Sequence, residues 1–397
     1  MPLPPDAWPA TQRAIRELIP FGPDEQIDTV AIAAFLLSHA PNRVVNPWLI
    51  LTGPHDAGQS ALLDLIADRK TMVRVRQNPK YIIKSRDARL DALRRQDGRV
   101  LYLPDYRDLI GPPGAGRTLF RTRWRRDWCK VYDGHVAIRG FQTGPRSDAW
   151  GPHPPNQRRG LLTVAGRDAF HWRGWGTERG LEERVLFYVP DLPWTDLEQP
   201  PVTLGKTEYH AYAKAALHQF LDLALEQLAE FDAVQIDADA EARIHAACEL
   251  VTLIIGPSDT RELTIRELTR MFAYVRGHER VEPQDLALAL RLALVQLDPV
   301  VYACLTVAAR PERLQGEFTR AAIMADVSLS PNTVTNGLAQ LVKVGVLKRQ
   351  RGKVGTARPY RFATIARRLV EAFVEAPEVV SDDEPDFEQI LREIEER

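Results

Sequence analysis

The residues best suited to chemistry in this 397-residue chain run from Trp48 to Ser60, Trp-Leu-Ile-Leu-Thr-Gly-Pro-His-Asp-Ala-Gly-Gln-Ser. An apolar strand leads into Gly53 and Gly58, five positions apart, and Ser60 opens an amphipathic stretch with Leu62, Leu63, Leu65 and Ile66. This spacing builds a phosphate cradle, because glycines let backbone N–H groups turn inward and the N-terminus of the following helix favours an anion. Gln59 stands where such a loop carries lysine. A neutral amide keeps the architecture and removes the point charge that meets the outer phosphates. The signal for the cradle is therefore stronger than the signal for turnover.

Two further positions belong with the cradle. Residues 99–106 form an apolar strand ending in Asp105, a carboxylate able to hold magnesium through water, with the Ser60 hydroxyl as a second ligand. Thr163, near the end of the apolar run 160–166, either senses a terminal phosphate or is a satisfied core threonine. A second glycine run, Gly111-Pro-Pro-Gly-Ala-Gly-Arg-Thr118, also fits the phosphate-loop spacing. It is set aside because only Leu109-Ile110 separates it from Asp105, and basic residues follow where a buried helix needs apolar ones. That basic run (Arg117, Arg121, Arg123, Arg125, Arg126, Lys130, with Trp124 and Trp128) either tracks a nucleic-acid backbone or pairs with a neighbouring subunit.

A different chemistry is written near the C-terminus. Ser330 caps a helix over 331–343 that presents Asn332, Thr333, Thr335 and Asn336, short polar side chains suited to groove edges and phosphates. Val334, Leu338, Leu341 and Val342 face inward. Residues 345–362 alternate as a β-ribbon, and Lys348, Arg349, Arg351, Lys353 and Arg358 give it the positive charge that sequence-tolerant phosphate contact requires.

The elements that must position these residues can be read from periodicity. Helices over 8–19 and 27–38 lead in. Alternating strands and helices over 48–195, with strands at 72–75, 99–106, 160–166 and 185–188, imply a parallel, three-layer α/β sheet domain. The chain is then helical over 209–231, 238–255, 264–277 and 283–295, the last started by Glu282-Pro283. Helices over 300–309, 318–326 and 330–343 precede the ribbon. The parts divide into a helical lead-in (1–47), a sheet domain (48–204), a helical domain (205–296), a ribbon-bearing domain (297–366) and an acidic tail (367–397).

Composition sets limits. At 45% apolar and 26% charged the chain is an ordinary globular protein. No run reaches the length of apolar residues a membrane helix needs, and the N-terminus has no charged segment followed by an apolar one, so a cytoplasmic location is expected. The three cysteines, Cys129, Cys248 and Cys304, have neither zinc-site nor disulfide spacing. Net charge is −1, yet residues 378–397 hold nine acidic and two basic side chains, leaving the body near +6.

The order of these parts resembles a AAA+ ATPase: phosphate loop, Asp105 at a strand end, Thr163, Arg184, a helical lid, then a winged helix. Within that superfamily it is most similar to minichromosome-maintenance-like helicases and related ATPases of phages and integrated mobile elements, over about residues 48–365. Glu183-Arg184-Val185 sits where those proteins place an arginine finger that reaches the next subunit's nucleotide. The run Leu263-Thr-Ile-Arg266-Glu-Leu, followed by Val281-Glu-Pro-Gln-Asp285, resembles their lid motif, which implies that Arg266 reaches a γ-phosphate. The alternative for Arg266 is a surface arginine paired with Glu262 or Glu267. The resemblance implies ATP and Mg2+ as ligands, DNA as partner, a role in DNA replication, and a homo- or hetero-oligomer. Two departures weaken turnover: Gln59 replaces the lysine, and Tyr106 follows Asp105 where a water-polarising glutamate is usual. The expectation is binding without brisk hydrolysis. The competing expectation is a non-enzymatic DNA-binding regulator or scaffold with a vestigial nucleotide site.

Overall fold

A computed structural model describes residues 3–19, 25–40, 45–52, 58–67, 69, 71–74, 100–104, 128–129, 132, 160–165, 184–188, 206–258, 260–327, 329–350 and 358–374. Gly53, Asp105, Arg351, Lys353, the second glycine run, the acidic tail beyond Val374 and the basic run apart from Trp128 lie outside them.

The chain is α/β around one parallel sheet. Strands β1 (Trp48–Thr52), β2 (Met72–Arg74), β3 (Val100–Leu103), β4 (Gly160–Ala165) and β5 (Val185–Tyr188) lie in the order β2-β3-β4-β1-β5, every neighbouring pair parallel. Buried on both faces, such strands read as continuous apolar runs, and all five residues of β1 are buried. Their alternation sends Leu49 and Leu51 to a core shared with Leu162, Leu186 and Tyr188. Trp48 packs on the opposite face, edge-on to Trp128 and Tyr132 at 5.7 and 5.3 Å between ring centroids.

Helices α1 (Ala7–Leu18), α2 (Glu25–Leu37) and α3 (Gln59–Ala67) join the first of these faces. In α2, Val30 through Leu37 are all buried, as expected of a helix that is apolar all round. It packs on β1, β4 and α6 (Arg261–Val275). The lead-in is thus part of the main core. Helices α4 (Lys206–Glu226), α5 (Ala238–Ile255), α6 and α7 (Pro283–Leu294) complete it. Asp237 caps α5 by accepting from the Ala240 N–H at 2.7 Å.

A second core holds the C-terminal elements α8 (Pro299–Ala308), α9 (Pro311–Leu314), α10 (Arg320–Asp326), α11 (Pro331–Lys343), β6 (Leu347–Arg349), β7 (Tyr360–Phe362) and α12 (Thr364–Val374). Leu250, Val251 and Ile254 of α5 belong to this second core, and α12 lies along α5. β6 and β7 are antiparallel, with Lys348 opposite Arg361. Phe318, expected to begin a helix, instead forms an antiparallel bridge with Tyr360, its N–H donating to the Tyr360 carbonyl at 2.9 Å. Thr319 then caps α10 from the Ala322 N–H. α11 crosses α8 closely at Gly337, where a Cβ would lie 2.8 Å from Val300 Cγ1 and 2.9 Å from Cys304 Sγ. No helix among the described residues is long and apolar enough to cross a membrane.

Candidate functional site

The glycine loop joins β1 to α3, and the sheet order gives that junction its meaning. From β1 the chain moves past β4 and β3 to β2, whereas from β4 it crosses β1 to reach β5. Connections that leave neighbouring strands in opposite directions open a crevice at the carboxyl ends, where α/β sheets bind ligands. Here those ends are Thr52 and Ala165, paired across β1 and β4. The Thr52 hydroxyl donates to the Tyr188 carbonyl at 2.9 Å, tying β1 to β5 at the mouth of the loop.

Gly58 sits at φ +82°, in the left-handed region that favours glycine. Its carbonyl accepts the Leu62 N–H at 2.9 Å, so the helix begins there and its first N–H groups are free to meet a ligand. A Cβ on Gly58 would lie 2.0 Å from Ile19 Cγ2. The residue capping α1 therefore packs on Gly58, a contact across 39 positions that periodicity does not signal.

Gln59 is 8% exposed, and its Nε2 is buried with no hydrogen-bond partner among the described residues. Thr163 is fully buried, its Oγ1 equally unpartnered, at the register of Ile50 on β1 and Leu103 on β3. Orphaned buried polar groups are costly and uncommon. Among the described residues neither group has the partner that a satisfied core position would give it. Helix N–H groups, an amide and a hydroxyl are neutral donors that suit a phosphate. Ser60 is exposed on the first turn of α3. No cluster of three His, Cys, Asp or Glu side chains that could hold a metal occurs among the described residues, and Ser60 alone is not a cation site.

The two arginines have different partners. Arg184 lies just before β5 with its guanidinium 5.4 Å from the Tyr132 ring centroid. Arg266, on α6, meets neither Glu262 nor Glu267. Its partner is Glu241 of α5 at 3.5 Å, while Glu262 bonds His245 and Glu267 bonds Arg270. A cation that sequence reasoning missed is Arg291 of α7, whose guanidinium lies 5.6 Å from the Tyr188 ring centroid at the carboxyl end of β5. Nothing in its local pattern distinguishes it from other helix arginines. Burial pushes the Cys248 thiol up to about 12 and that of Cys304 to about 11, so neither is a nucleophile at neutral pH.

The C-terminal polar face is built separately. Ser330 caps α11 by accepting the Thr333 N–H, and Pro331 occupies the first turn. Val334, Leu338 and Leu341 are buried, Val342 is half-buried, and Asn332 and Asn336 are exposed. The threonine hydroxyls are engaged within the module: Thr333 with Ser330 at 2.7 Å, and Thr335 with the Pro331 carbonyl at 2.8 Å and Arg320 at 3.1 Å. Lys348, Arg349 and Arg358 are exposed, joined by Lys343 and Arg361. A sequence signal for this surface is the absence of any acidic residue between Asp326 and Glu371, a stretch with nine lysines and arginines.

No family model matches the chain, and no curated protein matches it. Among solved structures it is similar to a full-length MCM homolog from Methanopyrus kandleri, with 17% sequence identity and a TM-score of 0.35. The match covers 73% of this chain and 61% of that one, so the chain spans less than two thirds of that protein's length.

Proposed function

We propose that this chain is a DNA-binding protein of the AAA+ kind, acting in phage or mobile-element DNA replication as a helicase relative or loader, with a nucleotide cradle that has lost its main cation. The observation that carries this is a positive-φ glycine and a helix N-terminus at the topological switch point of a parallel sheet, with two buried donors, Gln59 and Thr163, that have no partner among the described residues. When bound, ATP would supply a phosphoanhydride whose charge the site must neutralise. The residues that would hold it are Gly53, Gly58, Gln59, Ser60 and Thr163, with Asp105 as the carboxylate for Mg2+. Helices α4–α7 take the part of the lid and residues 297–366 that of a winged helix, with α11 as its reading helix and β6-β7 as the wing.

Gln59 and the missing glutamate after Asp105 favour a second reading, in which the cradle only stabilises a subunit interface of a DNA-binding scaffold. A hetero-oligomer reconciles the two, since a subunit with a weak cradle can still lend Arg184 to a neighbour's nucleotide. That arrangement predicts stimulation of a partner ATPase, abolished by Arg184→Ala.

DNA binding is tested by charge reversal. Arg349→Glu with Arg351→Glu should weaken duplex binding and make log Kd about two units less steep against log salt, one for each phosphate no longer neutralised. Unchanged affinity and salt slope would remove the assignment.

A further inference from the structure

The exposed face of α11 is narrower than its sequence implies. With the hydroxyls of Thr333 and Thr335 engaged within the module, the uncharged polar groups left facing outward are carboxamides: Asn332, Asn336 and, four residues further on, Gln340. All three residues are exposed, and none of the three amides has a hydrogen bond among the described residues. Spaced at i, i+4 and i+8, they form one stripe along the helix. The opposite face is anchored by Val334, Leu338 and Leu341 and by the close crossing of Gly337 over α8, so the stripe is held rigidly.

The occupant of this face is set by its surroundings. Exposed Arg320, Lys343, Lys348, Arg349 and Arg358 lie on the same module, which has no acidic residue between Asp326 and Glu371. A helix bordered by cations suits a duplex whose major groove admits it, which B-DNA's does and A-form RNA's does not. A carboxamide has one acceptor and one donor side by side. That pair matches the N6 amino group and N7 of adenine, the one base edge an amide reads bidentately.

We propose that Asn332, Asn336 and Gln340 confer preference for adenines in the major groove of duplex DNA. Four residues advance the helix by about 6 Å, and base pairs stack about 3.4 Å apart. With α11 lying along the groove, successive amides therefore meet base pairs about two steps apart, and the preferred site carries adenines at alternate positions. Gln340 becomes a specificity residue alongside the two asparagines. The inference rests on the DNA-contact reading above and adds the sequence class to it.

The test is selection from a randomised duplex library by the full-length protein, followed by binding of the selected site to Asn336→Ala, Gln340→Ala and Arg349→Glu variants. Selected duplexes should carry adenines about two positions apart. Each alanine variant should lose on the order of tenfold in affinity for the selected site while keeping its affinity for unrelated duplexes. Arg349→Glu should weaken both alike. A selected set without spaced adenines, or alanine variants that bind every duplex equally less well, overturns this proposal and leaves general duplex contact standing. Failure of the unmodified protein to bind any duplex overturns both. Thermal melts of the alanine variants should match the parent, since the replaced side chains are exposed and alanine favours helix.

Discussion

Gly58 shows how backbone conformation and packing can constrain one position together. A side chain there must adopt left-handed backbone, which costs about 1–2 kcal/mol, and must also displace Ile19 from 2.0 Å. Gly58→Ala should therefore lower Tm by several degrees, and adding Ile19→Ala should recover part of the loss by opening space for the new methyl. The two substitutions then couple in a double-mutant cycle. Strictly additive losses measured by calorimetry would show that Ile19 does not pack on Gly58. The glycine was legible from the spacing of the loop. Its contact with Ile19 was not, because Ile19 looks like any other apolar helix-end residue until the fold brings it across.

Local capping chemistry made several element boundaries readable. Ser330 before α11 and Glu282-Pro283 before α7 announce their helices, because short polar side chains and a first-turn proline satisfy or avoid free N–H groups. Phe318 misled for the opposite reason: its apolar character fits a helix, and its strand pairing with Tyr360 depends on a partner 42 positions away. The turn between α6 and α7 carries chemistry that local pattern hides. Fully buried Asp285 accepts from Arg276 at 2.5 Å, from His278 at 2.9 Å and from the Glu282 N–H at 3.1 Å. The hydrogen bond to Asp285 holds the His278 imidazole above its ordinary value near 6.5, with the Asp285 charge and Glu282 adding to it and burial and Arg276 opposing. A raised folded value means that this contribution is complete below the unfolded value and is lost as pH rises through the folded one. Tm should thus decline from about pH 6.5 upward, and His278→Gln should flatten that decline. Parallel pH profiles for parent and variant would contradict the account.

In the whole molecule, α5 is the joint. It contributes Ile244 and Ala247 to the main core and Leu250, Val251 and Ile254 to the C-terminal one. Burial of each large apolar side chain stabilises by roughly 1.5–3 kcal/mol, so the two cores should unfold together. Leu250→Asn with Ile254→Asn should split a single calorimetric transition into two, and two transitions in the parent protein would refute the coupling. The layout of an α/β sheet followed by helices was readable from periodicity, whereas the sharing of one helix between two cores was not, since the apolar stripe of α5 continues from Ile244 to Ile254 without a break where one core gives way to the other. The central claim is that the sheet's switch point holds a phosphate cradle lacking its cation. Its most direct measurement is an equilibrium titration of the full chain with ATP, beside the same titration of Gln59→Lys. A charged donor exceeds a neutral one by about 1–1.5 kcal/mol, so the lysine variant should bind about tenfold more tightly than a weakly binding parent. Superimposable isotherms, or no binding by either protein, would contradict it.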